Sequence, residues 1–304
     1  MNFRNVVFLL YDSRSGSTWL SSILHGYRNV HVLKECTIVS RIMKAPPIID
    51  SGVLSDILVD LKKDKQNEEM GLDLSYLVKK SYSKECSPLE FVGQIIESIR
   101  AELAIDDNVY LVVKDQLFSS SRKLAGHFCE AEFVCLVRDG WEVFLSKRNT
   151  IAIDGLPMTQ SVITSALRWN YFAKRTLELS RLSAPVTVLH YHQLKGGGRT
   201  YLEENISFLE SDYDDEARVI YATDIGESQK GLHRNLLKAG ARSSYTGTTA
   251  ELHLYRVLTS GSARALGYTP DWERVNIFRL VVCFFMDCWK YMIHRLQSRR
   301  ELKL

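Results

Sequence analysis

Short apolar runs that are continuous, not alternating, punctuate the chain at Val6–Leu10, Val109–Val113, Phe133–Val137 and Val186–Leu189, with Val30–Leu33 as a fifth. Strands buried on both faces look like this. Between them, helical spacing of apolar positions runs through Thr18–His25, Leu89–Leu103, Trp141–Arg148 and Ser161–Leu182, with a late stretch at Thr249–Leu266. Strand, helix and strand in repetition predict an α/β fold whose central parallel sheet is flanked by helices in three layers.

The end of the chain differs. Ile277–Ile293 is strongly apolar but broken by Arg279, Asp287 and Lys290, and its longest uncharged run, Leu280–Met286, has seven residues. That is too short to span a bilayer. A helix packed on the domain is the expected arrangement, because the wide apolar arc suits a core helix. The alternative is an interfacial helix, with Arg295, Arg299, Arg300 and Lys303 available to anionic lipid. Lys62–Glu69 is a charge run with no apolar stripe and reads as a solvated loop or helix end. Gly196–Gly198 reads as a flexible turn after the fourth strand; it lacks the setting of a dinucleotide loop.

Composition narrows the classes. A chain of 304 residues can bury one sizeable core, and a net charge of +3 shows no global bias towards nucleic acid. An anionic ligand must then be held by a local cluster of Arg and Lys. The six cysteines are scattered without a CxxC pair, so neither a disulfide framework nor a zinc site is expected. The five-residue first strand is too short for a signal segment. The expectation is a cytoplasmic protein, membrane-associated if the tail takes its interfacial form.

The first chemical constellation follows Val6–Leu10, in YDSRSGSTWL. A strand, a tight turn at Gly16 and a helix starting near Ser17 or Thr18 present backbone N–H groups to an anion. Ser15, Ser17 and Thr18 add hydroxyls, and Arg14 can fork onto two oxygens. The first glycine and the lysine of GxxxxGK[ST] are missing, as is an obvious acidic partner for magnesium. On spacing alone, a serine-rich turn capping a helix explains the segment as well as an anion site does.

The second lies where Phe133–Val137 ends in Arg138-Asp139-Gly140. Arg138 sits at a strand's carboxyl end, where open α/β sheets bind ligands, and Ser146 follows about two turns along the next helix. By itself an Arg-Asp-Gly turn is more often a surface ion pair.

Taken together, these segments resemble the PAPS-dependent sulfotransferases. Ser13-Arg14-Ser15-Gly16-Ser17-Thr18-Trp19-Leu20 is similar to the 5′-phosphosulfate loop in the PRSGTT form of the tyrosylprotein-type and bacterial enzymes, with Ser13 replacing proline. FVCLVRDGWEVFLS resembles the family's 3′-phosphate motif, an arginine after a strand and a serine eight residues later, here Arg138 and Ser146. Two phosphate sites on one sheet edge describe a 3′,5′-bisphosphorylated nucleotide. The resemblance runs from about Val6 to Asp271, implying a P-loop-like sulfotransferase domain over 1–271 and a helical tail over 272–304. It implies PAPS as donor, PAP as product and no metal.

In-line sulfuryl transfer needs a base for the acceptor hydroxyl and positive charge around the sulfuryl and leaving oxygens. Pattern alone makes Glu35, in VHVLKECTIVSRI, an ordinary strand-end carboxylate; the resemblance makes it the base. Lys114, in LVVKDQ, is similar to the family's NKDP-like lysine, with Asp115 beside it to orient it, and Arg14 shares the charge balance. The resemblance also puts Trp19, Tyr191 and Arg234 at the nucleotide, Arg234 within a late basic stretch with His233, Asn235 and Lys238. Arg41 is a further candidate at acceptor or sulfate. His190 and His192 flank Tyr191 and, as neighbours on a strand, would point away from its face.

The acceptor is expected to be a hydroxyl compound, a glycan or small molecule, met by residues 41–108 and 150–160. Two rivals stand beside this reading. One is a metal-dependent nucleotide kinase or NTPase on the same architecture. The other is a non-catalytic nucleotide-binding, membrane-peripheral protein.

Overall fold

A central strand with every residue buried, β1 (Val6–Tyr11), explains the continuous apolar run that opens the chain. Its even and odd positions feed two separate cores. Val6, Phe8 and Leu10 face one, and Val7, Leu9 and Tyr11 face the other. The computed structural model describes residues 3–62, 71–150, 157–223, 247–268 and 278–289.

Around β1 stand β2 (Val30–Val32), β3 (Tyr110–Lys114), β4 (Glu132–Val137) and β5 (Val186–His190). The order is β2-β3-β1-β4-β5, and each neighbouring pair is parallel. Leu9 pairs with Lys114, Leu10 with Cys135 and Val137 with His190, so the carboxyl ends of β3, β1, β4 and β5 form one edge. Chain order reverses on either side of β1, which opens a crevice at that edge. The expected five-stranded parallel α/β architecture is therefore present.

On one face lie α1 (Ser17–His25) and a later helix, α9 (Tyr191–Asn205). Leu20, Ile23 and Leu24 of α1 and Leu194 and Leu202 of α9 fill the core there. The other face is covered by a run of helices: α2 (Ile38–Ile42), α3 (Ser51–Lys62), α4 (Leu74–Ser81), α5 (Pro88–Glu102) and α6 (Ser121–His127). It is completed by α7 (Gly140–Arg148), α8 (Val162–Leu179) and α11 (Thr249–Ala265). α10 (Asp215–Thr223) packs near α1. Local chemistry fixes several starts. Ser87 and Glu90 form a capping box ahead of Pro88 in α5, and Thr248 and Glu251 do the same for α11.

Two expectations change here. Gly196–Gly198 does break the chain's course, but between two helical halves of α9 and not directly after the strand: Gly198 leaves the helical region (φ 54°, ψ −127°). Three glycines lower helix propensity, yet Tyr191, Leu194 and Leu202 bury enough apolar surface to hold both halves on the sheet. Tyr191 also starts that helix, not a strand position, so strand alternation does not separate it from its histidine neighbours. The His190 and His192 rings lie 5.7 Å apart, both against Tyr268.

The described part of the tail, α12 (residues 278–289), rests on the domain as expected, through Cys283 and Asp287, but its apolar arc is not what packs there. Its large apolar side chains, Phe285 and Trp289 among them, are exposed, while Asp287 is buried. Most of the 62–69 charge run lies outside the described residues, as do Arg234, His233, Asn235 and Lys238.

Candidate functional site

The loop between β1 and α1 is held in a conformation that most residues avoid. Arg14 takes φ 70° and Gly16 φ 97°, both in the left-handed region. The Ser15 amide donates to the Asp12 carbonyl (3.1 Å), closing the turn. Glycine is required at position 16 for two reasons. The φ is strained for any L side chain, and an added Cβ would sit 2.4 Å from a ring carbon of Tyr191. A non-glycine residue in this region costs about 1 to 3 kcal/mol, and such strain gathers at ligand clamps.

The turn aims α1 at the crevice. The Gly16 cap supplies no side-chain hydrogen bond to the first helical amides. The Ser15 hydroxyl is buried and has no hydrogen-bond partner among the described residues. Ser17 and Thr18 are buried beside it. A buried hydroxyl without a partner beside a helix N-terminus is an arrangement suited to an anion.

Positive charge converges on the same place from a second element. Arg138, at the end of β4, donates from Nη1 to the Arg14 carbonyl (3.0 Å) and from Nε to Glu142 (2.9 Å). Arg14 Nε donates to the Ser146 hydroxyl (3.3 Å), joining loop to α7 across 132 positions. The Arg138 guanidinium stacks over the Tyr191 ring at 4.6 Å, and Trp19 meets that ring edge-on at 5.8 Å. Burial and then the neighbouring charge of Arg138 pull the Arg14 guanidinium below its ordinary value. Two guanidiniums in one partly buried pocket repel each other unless an anion lies between them.

On the other side of β1, the Lys114 ammonium is 2% exposed and bridges two groups. It donates to Thr18 Oγ1 (3.1 Å) and pairs with Glu35 Oε2 (3.2 Å). Glu35 is 15% exposed and follows β2, so its carboxylate stands one cation away from the loop. Tyr11, at the end of β1, lies in the field of Glu35; burial first and then that charge push its phenol well above the usual range. Asp115 does not orient Lys114 as expected. Its carboxylate accepts from the Ser40 amide (2.8 Å) and ties down α2 instead.

Of the sequence-derived candidates, Arg14, Ser15, Gly16, Ser17, Thr18, Trp19, Glu35, Lys114, Arg138, Ser146 and Tyr191 all stand along the carboxyl edge of the sheet. Arg41 lies in the last turn of α2. Sequence reasoning missed Asp12. This carboxylate is 1% exposed and takes bonds from Lys147 Nζ (2.6 Å) and Arg168 Nε (3.0 Å), Arg168 also reaching Gln116 (2.9 Å). Burial lowers the Lys147 ammonium, against the pull of Asp12. The partners lie 135 and 156 positions away, so no local motif announced them; the only signal was an acid directly after a buried strand. Among the described residues, no group of three or more His, Cys, Asp or Glu is placed to hold a metal ion.

Neither a family model nor a curated protein matches the chain. Solved structures do. A sulfotransferase domain from the olefin synthase of Synechococcus PCC 7002 aligns at a TM-score of 0.52 and 18% identity, covering 89% of this chain and 98% of that one. A sulfotransferase domain from the curacin biosynthetic pathway aligns at 0.51 and 17%, covering 89% and 100%. The chain thus has a sulfotransferase-type fold.

Proposed function

We propose that this chain is a sulfotransferase that moves a sulfuryl group from PAPS to a hydroxyl acceptor, a glycan or small molecule. The observation that carries this reading is the convergence of Arg14, Arg138 and Ser146 beside a buried, unpartnered Ser15 hydroxyl. The likeness to two sulfotransferase domains supports it at the level of fold. PAPS supplies an activated sulfuryl group on a nucleotide that bears phosphate at both ends.

The chain's residues divide the work. The loop amides, Ser15, Ser17 and Thr18 would hold the 5′ side, and Arg138 and Ser146 the 3′-phosphate. Tyr191 and Trp19 offer aromatic faces to the nucleotide. Glu35 takes the acceptor proton. Lys114, fixed between Glu35 and Thr18, orients that carboxylate and offsets negative charge at the loop. Arg14 offsets it from the opposite side. The domain spans 1–271, with 272–304 appended.

The test is calorimetric titration with PAP in EDTA, a buffer that would defeat a metal-dependent nucleotide site. Wild type should bind with micromolar affinity, and Arg138→Ala at least about tenfold more weakly, since it loses charge-assisted hydrogen bonds. Glu35→Gln should keep PAP affinity while losing roughly 10²- to 10⁴-fold in turnover. No binding by folded wild type would remove the sulfotransferase reading. Unchanged turnover in Glu35→Gln would remove the base assignment alone.

A further inference from the structure

Helix α12 is amphipathic in the reverse sense for a helix resting on a domain. Its one buried charge points inwards. Asp287, 2% exposed, accepts from the Ser161 hydroxyl (2.7 Å) and from the amides of Val162 (2.8 Å) and Ile163 (2.9 Å). Its apolar side points out. Val281 (44%), Val282 (41%), Phe285 (67%), Met286 (56%) and Trp289 (61%) are all exposed. At about 100° per residue these five lie within an arc of about 140°, opposite Asp287. A contiguous apolar face of this kind marks an interaction surface.

Charge identifies the occupant. Residues 290–304 bring Lys290, Arg295, Arg299, Arg300 and Lys303 against a single acid, Glu301. Asp287, the acid of α12 itself, is on the opposite side of the helix from the apolar arc and bonded to the α8 terminus. No described helix is long and apolar enough to cross a membrane. An apolar arc carrying a tryptophan and followed by cations suits the plane of a lipid surface with anionic headgroups.

Position adds a reason for such a surface. Arg168, two turns into α8, meets Asp12 after β1 and Gln116 after β3. The α8 terminus held by Asp287 therefore lies on the side of the molecule where the strands' carboxyl ends open. We infer that α12 seats the protein on an anionic membrane surface, with Val281, Val282, Phe285, Met286 and Trp289 in the interface.

The full chain is sedimented with vesicles of phosphatidylcholine alone and of phosphatidylcholine mixed with phosphatidylglycerol, at low and high salt. Wild type should pellet with the mixed vesicles and be released by salt. The double variant Phe285→Glu/Trp289→Glu should bind at least about tenfold less, with an unchanged circular dichroism spectrum. Should that variant not fold, Arg299→Glu/Arg300→Glu, which leaves the described helix untouched, should show a similar loss. Wild type remaining in the supernatant, pelleting equally with both vesicle types, or pelleting no better than the folded variants overturns the proposal. If wild type ignores vesicles but forms a dimer that Phe285→Glu/Trp289→Glu dissolves, the face belongs to a second copy and the lipid assignment is lost.

Discussion

Asp115 is fully buried behind Lys114, and its environment sets the sign of a pH effect. Burial above all, with Glu35 adding to it, raises its carboxyl from 3.8 to about 7. Across that window the folded chain keeps a proton that the unfolded chain has released, so this group makes stability fall as pH rises. His25 acts oppositely. Burial, with His31 adding, lowers it from 6.5 to about 4, so between those values the unfolded chain holds the extra proton and stability rises with pH. In wild type the two slopes oppose each other between about pH 4 and 6.5. Asp115→Asn should remove one and leave a stability that climbs with pH over that range, seen as a rising urea midpoint. A variant profile parallel to wild type would show that Asp115 titrates normally. Of the residues involved, the strand pattern placed Lys114 and Glu35 at strand ends, but only the family resemblance singled them out. The role of Asp115 was not legible, because its partner Ser40 lies 75 positions away.

At the scale of elements, the α8 terminus shows how one side chain can join two segments. Ser161 caps its own helix by accepting from the Thr164 amide (3.2 Å), and Asp287 satisfies the amides of Val162 and Ile163. A carboxylate there also complements the helix dipole. Asp287→Ala should cost about 1 to 2 kcal/mol of unfolding free energy, and Asp287→Asn less, because its amide oxygen still accepts. Equal urea midpoints for Asp287→Ala and wild type would mean that water replaces the cap. The strands were readable because burial on both faces demands unbroken apolar runs, as the six buried residues of β1 show. In α9 the glycine run marked the break at Gly198 but not the helical halves on either side, which Tyr191, Leu194 and Leu202 hold by packing.

For the whole molecule, the sheet order places β3 and β4 on either side of β1, so their carboxyl ends deliver Lys114 and Arg138 to one loop. A site of two repelling guanidiniums and an unpartnered hydroxyl should be stabilised by the ligand that completes it. PAP at a hundredfold excess over its dissociation constant adds about 2.7 kcal/mol, roughly 5 °C in Tm for a chain of this size. Adenosine 5′-phosphate, lacking the 3′-phosphate, should give a clearly smaller rise at the same concentration, and equal rises would argue against a separate 3′ site. The sequence alone determined the α/β class and set Arg14–Thr18 and Arg138 directly after strands, because these depend on burial periodicity and near neighbours; reading them as phosphate sites took the family resemblance. Only the tertiary structure decided that Arg14 and Arg138 meet, that Asp12 is held by Lys147 and Arg168, and that α12 turns its apolar side outwards. Those are contacts between distant segments. A period of 3.6 says that a helix has an apolar face, but what lies against that face is set by packing across the fold.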